Sequence, residues 1–349
     1  MIAIAWFAAV LLSPFTSHDP SHDPGHDPEA AAAAPADARA ITERVRTGEG
    51  AWTFESVAGW AKIPEGKTYG PTHGGVAIAK SGEIYTATDG PEGIAVFAPG
   101  GQLARTVGKE FSGCHSILLR EEQGTEFLYC AHLRGHQVVK LRLDGTAVWT
   151  LGAPMESKAY ESPDKFQPTS VAVAPDGSIF VADGYGTSLI HRFDRERKWV
   201  KSFAGAGTED GKVNTCHGLA IDERGKTPLL LVCDRENRRL VRFDLDGTYV
   251  DTLAKDLRRP CTVAFRGDAL AVAELEGRVT ILDAAGKELA HLGDNPDASQ
   301  RANFGVPPES WKDGIFTAPH GLAFDARGDL YVQDWNQSGR ISKLRHTGD

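Results

Sequence analysis

The sequence has few of the features that mark membrane proteins or nucleic-acid-binding proteins. After the first dozen positions it has no apolar run of the roughly 18 residues that a membrane-spanning helix needs. The 38 Lys and Arg residues are outnumbered by 47 Asp and Glu residues, and the net charge of −9 does not support electrostatic capture of nucleic acid, which needs a basic face. Methionine occurs only twice, whereas the 38 glycines indicate many turns and few long helices.

The first 38 positions contain no Lys or Arg at all and differ in composition from the rest of the chain. Five of the acidic residues lie there: Asp19, Asp23, Asp27, Glu29 and Asp37. The remaining chain therefore has 42 acidic against 38 basic residues, a net charge of only −4. The body of the protein is thus mildly acidic, and the leading segment carries more than half of the net charge.

An apolar stretch at residues 2–12 has the length of the core of an export signal and is too short to span a bilayer. We predict a signal peptide over residues 1–17 and hence export. No Lys or Arg precedes the stretch, and Phe15-Thr16-Ser17 is a poor cleavage site. An uncleaved anchor and a misassigned start codon therefore stay open as alternatives.

Residues 18–48 are predicted to form a disordered leader. Three His-Asp-Pro units begin at His18, His22 and His26, and Ala-rich sequence follows. A proline at every fourth position blocks helix formation and sheet pairing, and no apolar side chains are available to bury. The histidines can bind a metal loosely, but a spacer is the interpretation we favour.

Six copies of one repeat unit fill the rest of the chain. Each unit has a short apolar run, a turn with Asp or Gly, a second apolar run ending in a polar residue, and a third alternating run. Three copies are clear and start at Gln167, Cys216 and Pro319, and fainter ones include those at Gly74 and His115. The alternation with a period of two predicts strands, joined by hairpin turns that contain Asp-Gly.

Units of about 40 to 50 residues with four strands and no helical signal predict an all-β, six-bladed β-propeller of NHL-type repeats. The last unit ends near Leu344 after only three strands. Residues 52–57, before the first unit, can supply the missing outer strand and close the ring. We therefore predict one domain, residues 49–349, and not the two that chain length alone suggests.

The innermost strand of each blade lines the central channel, so the first residues of these strands meet around one axis. In chain order these anchor residues are Gly74, His115, Thr169, His217, Cys261 and His320. The histidines belong to blades two, four and six, so the three imidazoles converge. Three neutral histidines with one open position form the ligand set of a catalytic zinc ion, although iron, copper and nickel also accept imidazole.

Each of these histidines could instead cap a local carbonyl, but three at alternate blades favour a metal. His73 lies one residue before its anchor and is not counted as a ligand, and Cys261 is not assigned as one. His132 and His136 follow the second strand of blade two, near the predicted mouth of the channel. There they either contact substrate or belong to a solvated turn.

A six-bladed propeller with one histidine in each alternate blade resembles the peptidyl-α-hydroxyglycine α-amidating lyase family. The resemblance covers roughly residues 74–344 and is sharpest in three segments. They are Gln167-Pro168-Thr169 with Asp183-Gly184-Tyr185, Cys216-His217-Gly218-Leu219 with Asp234-Arg235-Glu236-Asn237, and Ala131-His132-Leu133 with His136-Gln137-Val138.

The resemblance implies a lyase that splits a carbinolamide into an amide and glyoxylate. The implied zinc ligands are His115, His217 and His320. Zinc would bind the substrate hydroxyl, Tyr185 would move the proton and Arg235 would hold the carboxylate. An arginine stabilises a nearby phenolate and can bind a carboxylate by two hydrogen bonds. The alternatives are a stacked turn aromatic for Tyr185, and an ion pair with Asp183 or Asp234 for Arg235.

Two departures from the family pattern bear on substrate and cofactor. The family has a further substrate-binding arginine on the second-strand turn of blade one, where this chain has Asp89-Gly90-Pro91-Glu92. This predicts a different or less anionic substrate. The family also places an aspartate directly after the third zinc histidine, where it helps to hold calcium. Here Gly321 follows His320, which speaks against a calcium ion.

Four of the five cysteines form two candidate pairs. Cys114 and Cys216 each precede a candidate ligand, and Cys130 and Cys233 end the second strand of the same blades. Disulfides are possible in an exported protein, but buried thiols fit cross-strand pairs better, and we favour thiols.

An insertion of some twenty residues, beginning at residue 293, precedes the last blade. Loops of this length in compact domains are usually functional. We expect either a lid over the channel or a surface-packed loop.

Three functions stay open from the sequence. The first is a zinc-dependent carbon–nitrogen lyase that acts in the channel on a small carbinolamide-like molecule or a peptide terminus. The second is a metal-dependent hydrolase of another substrate, and the third is a non-catalytic NHL propeller that binds protein or glycan. We expect no nucleic-acid partner and no membrane span in the mature chain. A three-histidine site without a fourth protein ligand favours an enzyme.

Overall fold

The computed structural model describes residues 44–67 and 69–348 of the 349-residue chain. The predicted signal peptide, residues 1–17, lies outside the described residues, and so does the part of the predicted leader from residue 18 to residue 43. No helix in the described ranges is long and apolar enough to cross a membrane.

The described residues form 25 strands, seven 3-10 helices of three residues each and no α-helix. The first two strands, which precede the blades, are β1 (Arg46–Thr47) and β2 (Phe54–Ser56). Blades one to three each contain four strands. They are β3 (Thr72–Ile78), β4 (Ile84–Thr88), β5 (Ile94–Phe97), β6 (Leu103–Val107), β7 (Cys114–Glu122), β8 (Thr125–His132), β9 (Gln137–Arg142), β10 (Ala147–Leu151), β11 (Ser170–Val173), β12 (Ile179–Ala182), β13 (Leu189–Phe193) and β14 (Trp199–Ala204).

Blades four and five also contain four strands each, and blade six begins with three. They are β15 (Cys216–Asp222), β16 (Leu229–Asp234), β17 (Arg239–Phe243), β18 (Tyr249–Ala254), β19 (Pro260–Arg266), β20 (Ala269–Glu274), β21 (Arg278–Leu282), β22 (Glu288–Leu292), β23 (Pro319–Phe324), β24 (Leu330–Asp334) and β25 (Arg340–His346). The 3-10 helices are Gly50–Trp52, Lys109–Phe111, Leu133–Gly135, Met155–Ser157, Pro163–Lys165, Ala298–Gln300 and Pro308–Ser310.

These strands form six antiparallel sheets in chain order, which confirms the predicted six-bladed β-propeller. Each predicted anchor residue lies in the innermost strand of its blade or directly before it, as Thr169 precedes β11. The Asp-Gly turns also behave as expected, with φ of +87° at Gly177 and +82° at Gly247. Hairpin turns of this kind need the positive φ that glycine adopts without strain.

The core lies between adjacent blades, where the faces of neighbouring sheets pack together. Every residue of β4, β20 and β24 is buried, because these second strands are covered by a sheet on both faces. One cluster joins blades one and two and includes Tyr85, Ile94, Leu128 and Val139. The fold is therefore a closed ring of interlocked sheets, and the position of each innermost strand depends on both of its neighbours.

Strand β2 pairs antiparallel with β25, so that Phe54 lies opposite His346 and Glu55 opposite Arg345. Outside it, β1 (residues 46 and 47), which the sequence assigned to the leader, pairs with β2. Glu55 accepts hydrogen bonds from Arg345 and from Arg46. The two outer strands of blade six are thus β1 and β2, which come from the start of the described chain.

All five cysteines are buried and free in the structure. Cys114 lies opposite His132 in the sheet, and Cys130 lies opposite Ile117, so the two cysteines are not direct cross-strand partners. The thiols therefore contribute to packing at the ends of the blades, as we favoured from the sequence.

Replacement of Phe54 by alanine is expected to destabilise the protein by about 3–5 kcal/mol, because it removes a fully buried ring from β2, the strand that pairs with β25. Phe54 packs against Phe316 and Leu344. The free energy of unfolding can be measured by chemical denaturation. The matched control is Val250→Ala, at a site 46% exposed on an outer strand, with an expected loss below about 1 kcal/mol. Equal losses in both variants would show that β2 does not hold the ring closed.

Candidate metal centre and active site

The channel along the propeller axis is lined by the innermost strands of the blades and contains a cavity of about 440 Å³. The anchor ends of these strands contribute His115, His217 and His320. Further along the same strands the lining is mainly apolar, with residues such as Val171 and Val263. The three imidazoles therefore lie together at one end of the channel, and the lining further along also includes Arg120 and Glu223.

The structure brings the three predicted metal ligands together. The ring centroids of His115 and His217 lie 4.6 Å apart, those of His217 and His320 also 4.6 Å, and those of His115 and His320 4.9 Å. The three residues are buried, with 2%, 2% and 4% of their surface exposed. The nearly equilateral triangle follows from their positions on alternate blades.

Hydrogen bonds to the next blade along the chain orient two of these imidazoles. His115 Nδ1 lies 2.6 Å from the carbonyl oxygen of Thr169, and His217 Nδ1 lies 2.8 Å from that of Cys261. A carbonyl oxygen only accepts, so each Nδ1 donates its hydrogen and each Nε2 keeps a lone pair. Burial lowers the pKa of all three histidines well below the usual value, which keeps the rings in the neutral, metal-binding form.

The third imidazole has a buried polar atom without a partner. His320 Nε2 makes no hydrogen bond to any described residue, and such an atom costs roughly 1–3 kcal/mol when it stays unsatisfied. A cation at the axis would satisfy this nitrogen together with the lone pairs of the other two rings. The donor set therefore fits a divalent metal that accepts imidazole.

Glycines after two of the histidines allow the innermost strands to approach closely. A Cβ at Gly218 would lie 2.4 Å from the carbonyl oxygen of Cys261, and a Cβ at Gly321 would lie 2.3 Å from that of Gly74. Real Cβ atoms essentially never make contacts this short. An aspartate does not fit at position 321 in this backbone, so the residues here do not reproduce the calcium ligand of the family.

Tyr185 reaches the imidazoles from the turn after β12. Its hydroxyl oxygen lies 3.2 Å from His115 Nε2 and 3.1 Å from His217 Nε2, and it accepts a hydrogen bond from Arg235 Nη1 at 3.0 Å. The residue is 36% exposed, so one side of its ring faces solvent while the hydroxyl lies among the imidazoles. Burial raises the pKa of Tyr185 although Arg235 opposes the shift. Burial thus favours the phenol form of Tyr185, whereas the guanidinium of Arg235 favours the phenolate.

A buried carboxylate holds the turn that carries Tyr185. Asp183 accepts hydrogen bonds from the backbone N–H groups of Gln167 at 2.6 Å and Thr187 at 2.7 Å. It also accepts from the hydroxyls of Thr187 at 2.6 Å and Tyr160 at 2.8 Å. Four hydrogen bonds to one carboxylate fix the backbone on both sides of the tyrosine and so position its ring.

Arg235 forms neither of the ion pairs that the sequence left open. Its Nε donates to Glu236 at 2.9 Å, and its guanidinium carbon lies 5.2 Å from the centre of the Tyr185 ring. Asp234 pairs with a different arginine. Arg259, which sequence reasoning missed, donates to the same Glu236 oxygen at 2.7 Å, and its buried Nε has no hydrogen-bond partner among the residues that the structure describes. Two guanidinium groups thus lie beside one carboxylate at the rim of the site.

Two side chains that sequence reasoning set aside also belong to the cluster. Potential ligand atoms of His73, His115 and His320 all lie within 4.8 Å of one another, and the same holds for Cys261, His217 and His320. Burial raises the pKa of Cys261 to about 12. Each of these groups combines two of the three predicted histidines with one further side chain, an imidazole in one group and a thiol in the other.

A β-bulge explains why His73 was missed. In blade one, Thr72 pairs with Thr88 but the next regular pair is Val76 with Thr86, so the residues between them do not alternate regularly. Bulges re-aim side chains next to functional sites. Register shifts also occur at this point in blades two, four, five and six, but there they add one residue, and in blade one they add two. Counting from the anchor residue assumes the same shift in every blade.

His132 and His136 bind backbone carbonyl groups. His132 is buried, and its Nε2 lies 2.9 Å from the carbonyl oxygen of Ser112. His136 Nδ1 lies 2.9 Å from the carbonyl oxygen of Phe166. Both residues therefore hold loops together, and His132 does not lie in the solvated turn that was one expectation.

The insertion before blade six packs on the rim of the site. Arg301 Nε donates to the carbonyl of Asn295 at 2.8 Å, a bond within the insertion. The ring of Phe304 lies 4.8 Å from that of Trp335, which in turn lies 6.2 Å from the ring of His73. The segment is thus held by its own hydrogen bonds and touches the surroundings of the cluster through two aromatic rings.

Comparison with known proteins supports the resemblance seen in the sequence. No family model matches the chain. It is 29% identical over 186 residues to a Caenorhabditis elegans protein named "probable peptidyl-alpha-hydroxyglycine alpha-amidating lyase", which covers 51% of this chain and 49% of that protein. It is 28% identical over 193 residues to peptidyl-alpha-hydroxyglycine alpha-amidating lyase 2 of Drosophila melanogaster, which covers 51% and 42%. The chain matches about half the length of these curated relatives, and its similarity to the lyases is confirmed.

Solved propeller structures share the fold at low sequence identity. A streptogramin B lyase structure superposes with a TM-score of 0.55 and 13% identity, covering 86% of this chain and 98% of that chain. A gluconolactonase from Xanthomonas campestris superposes with a TM-score of 0.59 and 13% identity, covering 85% and 90%. At these identities the likeness shows the fold alone.

Replacement of Asp183 by alanine is expected to destabilise the protein by about 3–5 kcal/mol, because it leaves several buried donors without an acceptor. Chemical denaturation measures the loss. The control is Asp176→Ala, which removes an exposed turn carboxylate bonded to Ser178 N at 2.8 Å and should cost about 1 kcal/mol or less. A small loss for Asp183→Ala would contradict the role of this carboxylate in holding the turn.

Proposed function

We propose that the protein is a zinc-dependent carbon–nitrogen lyase that splits a carbinolamide-like small molecule or peptide terminus at the mouth of the channel. The observation that carries this proposal is the position of the Tyr185 hydroxyl. It contacts Nε2 of His115 and of His217 and accepts a hydrogen bond from Arg235. The phenol of Tyr185 thus lies within hydrogen-bonding distance of the guanidinium of Arg235 and of two of the imidazoles.

We assign His115, His217 and His320 as the metal ligands. Two observations support this assignment. The buried Nε2 of His320 has no hydrogen-bond partner in the described part of the chain, and the other two rings donate Nδ1 hydrogen bonds. Zinc is the preferred ion because three neutral imidazoles with an open position are its usual catalytic ligand set. When bound, zinc supplies a Lewis acid that lowers the pKa of an adjacent hydroxyl group.

Tyr185 is the proposed proton carrier. An Nε2 lone pair that binds a metal cannot also accept a hydrogen bond, so the Tyr185 hydroxyl then keeps only Arg235 as its side-chain partner. Its oxygen accepts from the guanidinium, and its hydrogen is free to exchange with the substrate. In the reaction the substrate hydroxyl loses its proton and becomes the carbonyl of glyoxylate. The C–N bond breaks, and the nitrogen takes up a proton to give the amide.

Arg235 and Arg259 are the proposed anchors for the substrate carboxylate. The two guanidinium groups share the single carboxylate of Glu236, so this part of the rim carries more positive than negative charge. Charge-assisted hydrogen bonds from arginine suit a planar carboxylate. The guanidinium that the family carries in blade one therefore has a potential substitute in blade five.

The two curated relatives bear the name of this activity, which supports the proposed reaction class. We further propose that the protein is exported, because the apolar stretch at residues 2–12 has the length of the core of an export signal. We also propose that residues 49–349 form a single propeller domain.

Purified protein is expected to contain about one zinc per chain by elemental analysis and to release glyoxylate from α-hydroxyhippurate. His217→Ala should lose both the metal and the activity, because it removes one of only three assigned ligands. His291→Ala, in the outer strand of blade five, is the control and should keep both. Metal-replete protein that releases no glyoxylate would rule out the lyase, and protein that binds no metal would rule out any enzyme based on this centre.

Tyr185→Phe is expected to lower kcat by about 10²–10⁴ while the zinc content stays unchanged, because it removes the group that moves the proton and leaves the ligands in place. Steady-state kinetics and elemental analysis of the same sample test this. Tyr249→Phe is the matched control, since that hydroxyl bonds Thr252 on the outer strand of blade four. Unchanged kcat in Tyr185→Phe would remove the tyrosine from the mechanism.

A further inference from the structure

His73 lies on the solvent side of the imidazole cluster. Its ring centroid lies 4.7 Å from that of His115 and 5.0 Å from that of His320. Its side chain is 19% exposed, whereas the three assigned ligands are almost completely buried. The rings of Tyr185 and Trp335 lie 6.4 Å and 6.2 Å from that of His73. A molecule that enters from the mouth therefore meets His73 before it meets the assigned ligands.

The contacts of His73 resemble those of a metal ligand. Its Nδ1 lies 3.4 Å from Asp89 Oδ2, and a potential ligand atom of its ring lies within 4.8 Å of those of His115 and His320. Histidines that bind metals typically donate their other ring N–H to a carboxylate or carbonyl group. Asp89 therefore lies on the side of His73 where a metal-binding histidine has its carboxylate partner, at a longer distance than the carbonyl oxygens that bind His115 and His217.

We propose that His73 is a fourth, displaceable ligand: its Nε2 occupies the open position of the metal in the resting protein and leaves it when the hydroxyl oxygen of the substrate binds. The proposal rests on the proposed function, because it assumes a metal on the three assigned histidines. The ligand class that competes with His73 is a small hydroxy acid derivative.

Two observations favour an exchangeable ligand over a permanent one. His73 is the most exposed of the four imidazoles, so solvent and substrate can reach it. Asp89 lies beside it and is itself 27% exposed, so it can keep its contact with the imidazole after displacement.

This assignment also gives Asp89 a role. From the sequence we predicted a different or less anionic substrate, because Asp89 lies in the turn where the family has an arginine. In the structure the carboxylate faces the imidazole of His73, and the carbonyl oxygen of Asp89 accepts from Arg134 Nη2 at 3.0 Å. Asp89 is therefore a positioning residue for His73.

The test uses the full chain loaded with Co²⁺, whose visible absorption reports the number and type of ligands without any turnover. In His73→Ala we expect the cobalt spectrum to change and the affinity for Co²⁺ and Zn²⁺, measured by chelator competition, to fall about 100-fold, the upper end for loss of a metal-supporting group. His291→Ala, with its imidazole on the outer strand of blade five, should match the wild type in both measurements.

Free imidazole provides the second measurement. Added to Co²⁺-loaded His73→Ala, it should restore the wild-type spectrum by filling the vacated position, and it should leave the wild type unchanged. Addition of α-hydroxyhippurate to the wild type should shift the spectrum as the substrate displaces His73. A His73→Ala protein with the wild-type spectrum and affinity would overturn the proposal and leave the proposed function intact. A wild type that binds neither Co²⁺ nor Zn²⁺ would overturn both.

Discussion

The centre of this protein depends on how closely its innermost strands approach one another. Gly218 and Gly321 leave no space for a side chain, so the backbones of neighbouring blades meet directly. The same proximity lets His115 and His217 donate Nδ1 hydrogens to carbonyl groups of the next blade. Each bond fixes a tautomer as well as an orientation, and it directs the remaining lone pair to the axis. The cluster is thus organised by the backbone of the ring and needs few other side chains to hold it.

Around the axis the blades alternate in what they contribute. Blades two, four and six supply the assigned imidazoles, and blades one, three and five supply His73, Tyr185 and Cys261. Each group of the second set lies at one edge of the triangle: His73 near His115 and His320, Tyr185 between His115 and His217, and Cys261 near His217 and His320. The three edges therefore differ in chemistry, with a partly exposed imidazole, a phenol and a buried thiol. This breaks the near three-fold symmetry, because each edge of the triangle carries a different group.

The repeats made the fold predictable, because strand alternation and turn residues recur in six units of similar length, and four-stranded units of this length are typical of a propeller. The convergence of His115, His217 and His320 followed from the same spacing. His73 did not, since its direction depends on a bulge between Thr72 and Val76 that no residue pattern indicates. Arg259 was missed for a related reason, because its proximity to Glu236 arises from the packing of two blades. Sequence periodicity therefore predicts positions along strands well, but not irregular backbone or contacts between units.

The pairing of β2 with β25 also sets the order in which the molecule can assemble. Glu55 and Arg345 are 290 residues apart, so their sheet can form only after blade six has left the ribosome. Hairpins within single blades form early and locally, whereas contacts over such distances form late. Blade six also carries His320, so the third imidazole arrives with the strands that seal the ring. A nascent or truncated chain can therefore hold folded hairpins and two of the histidines, but the complete cluster exists only in a finished molecule.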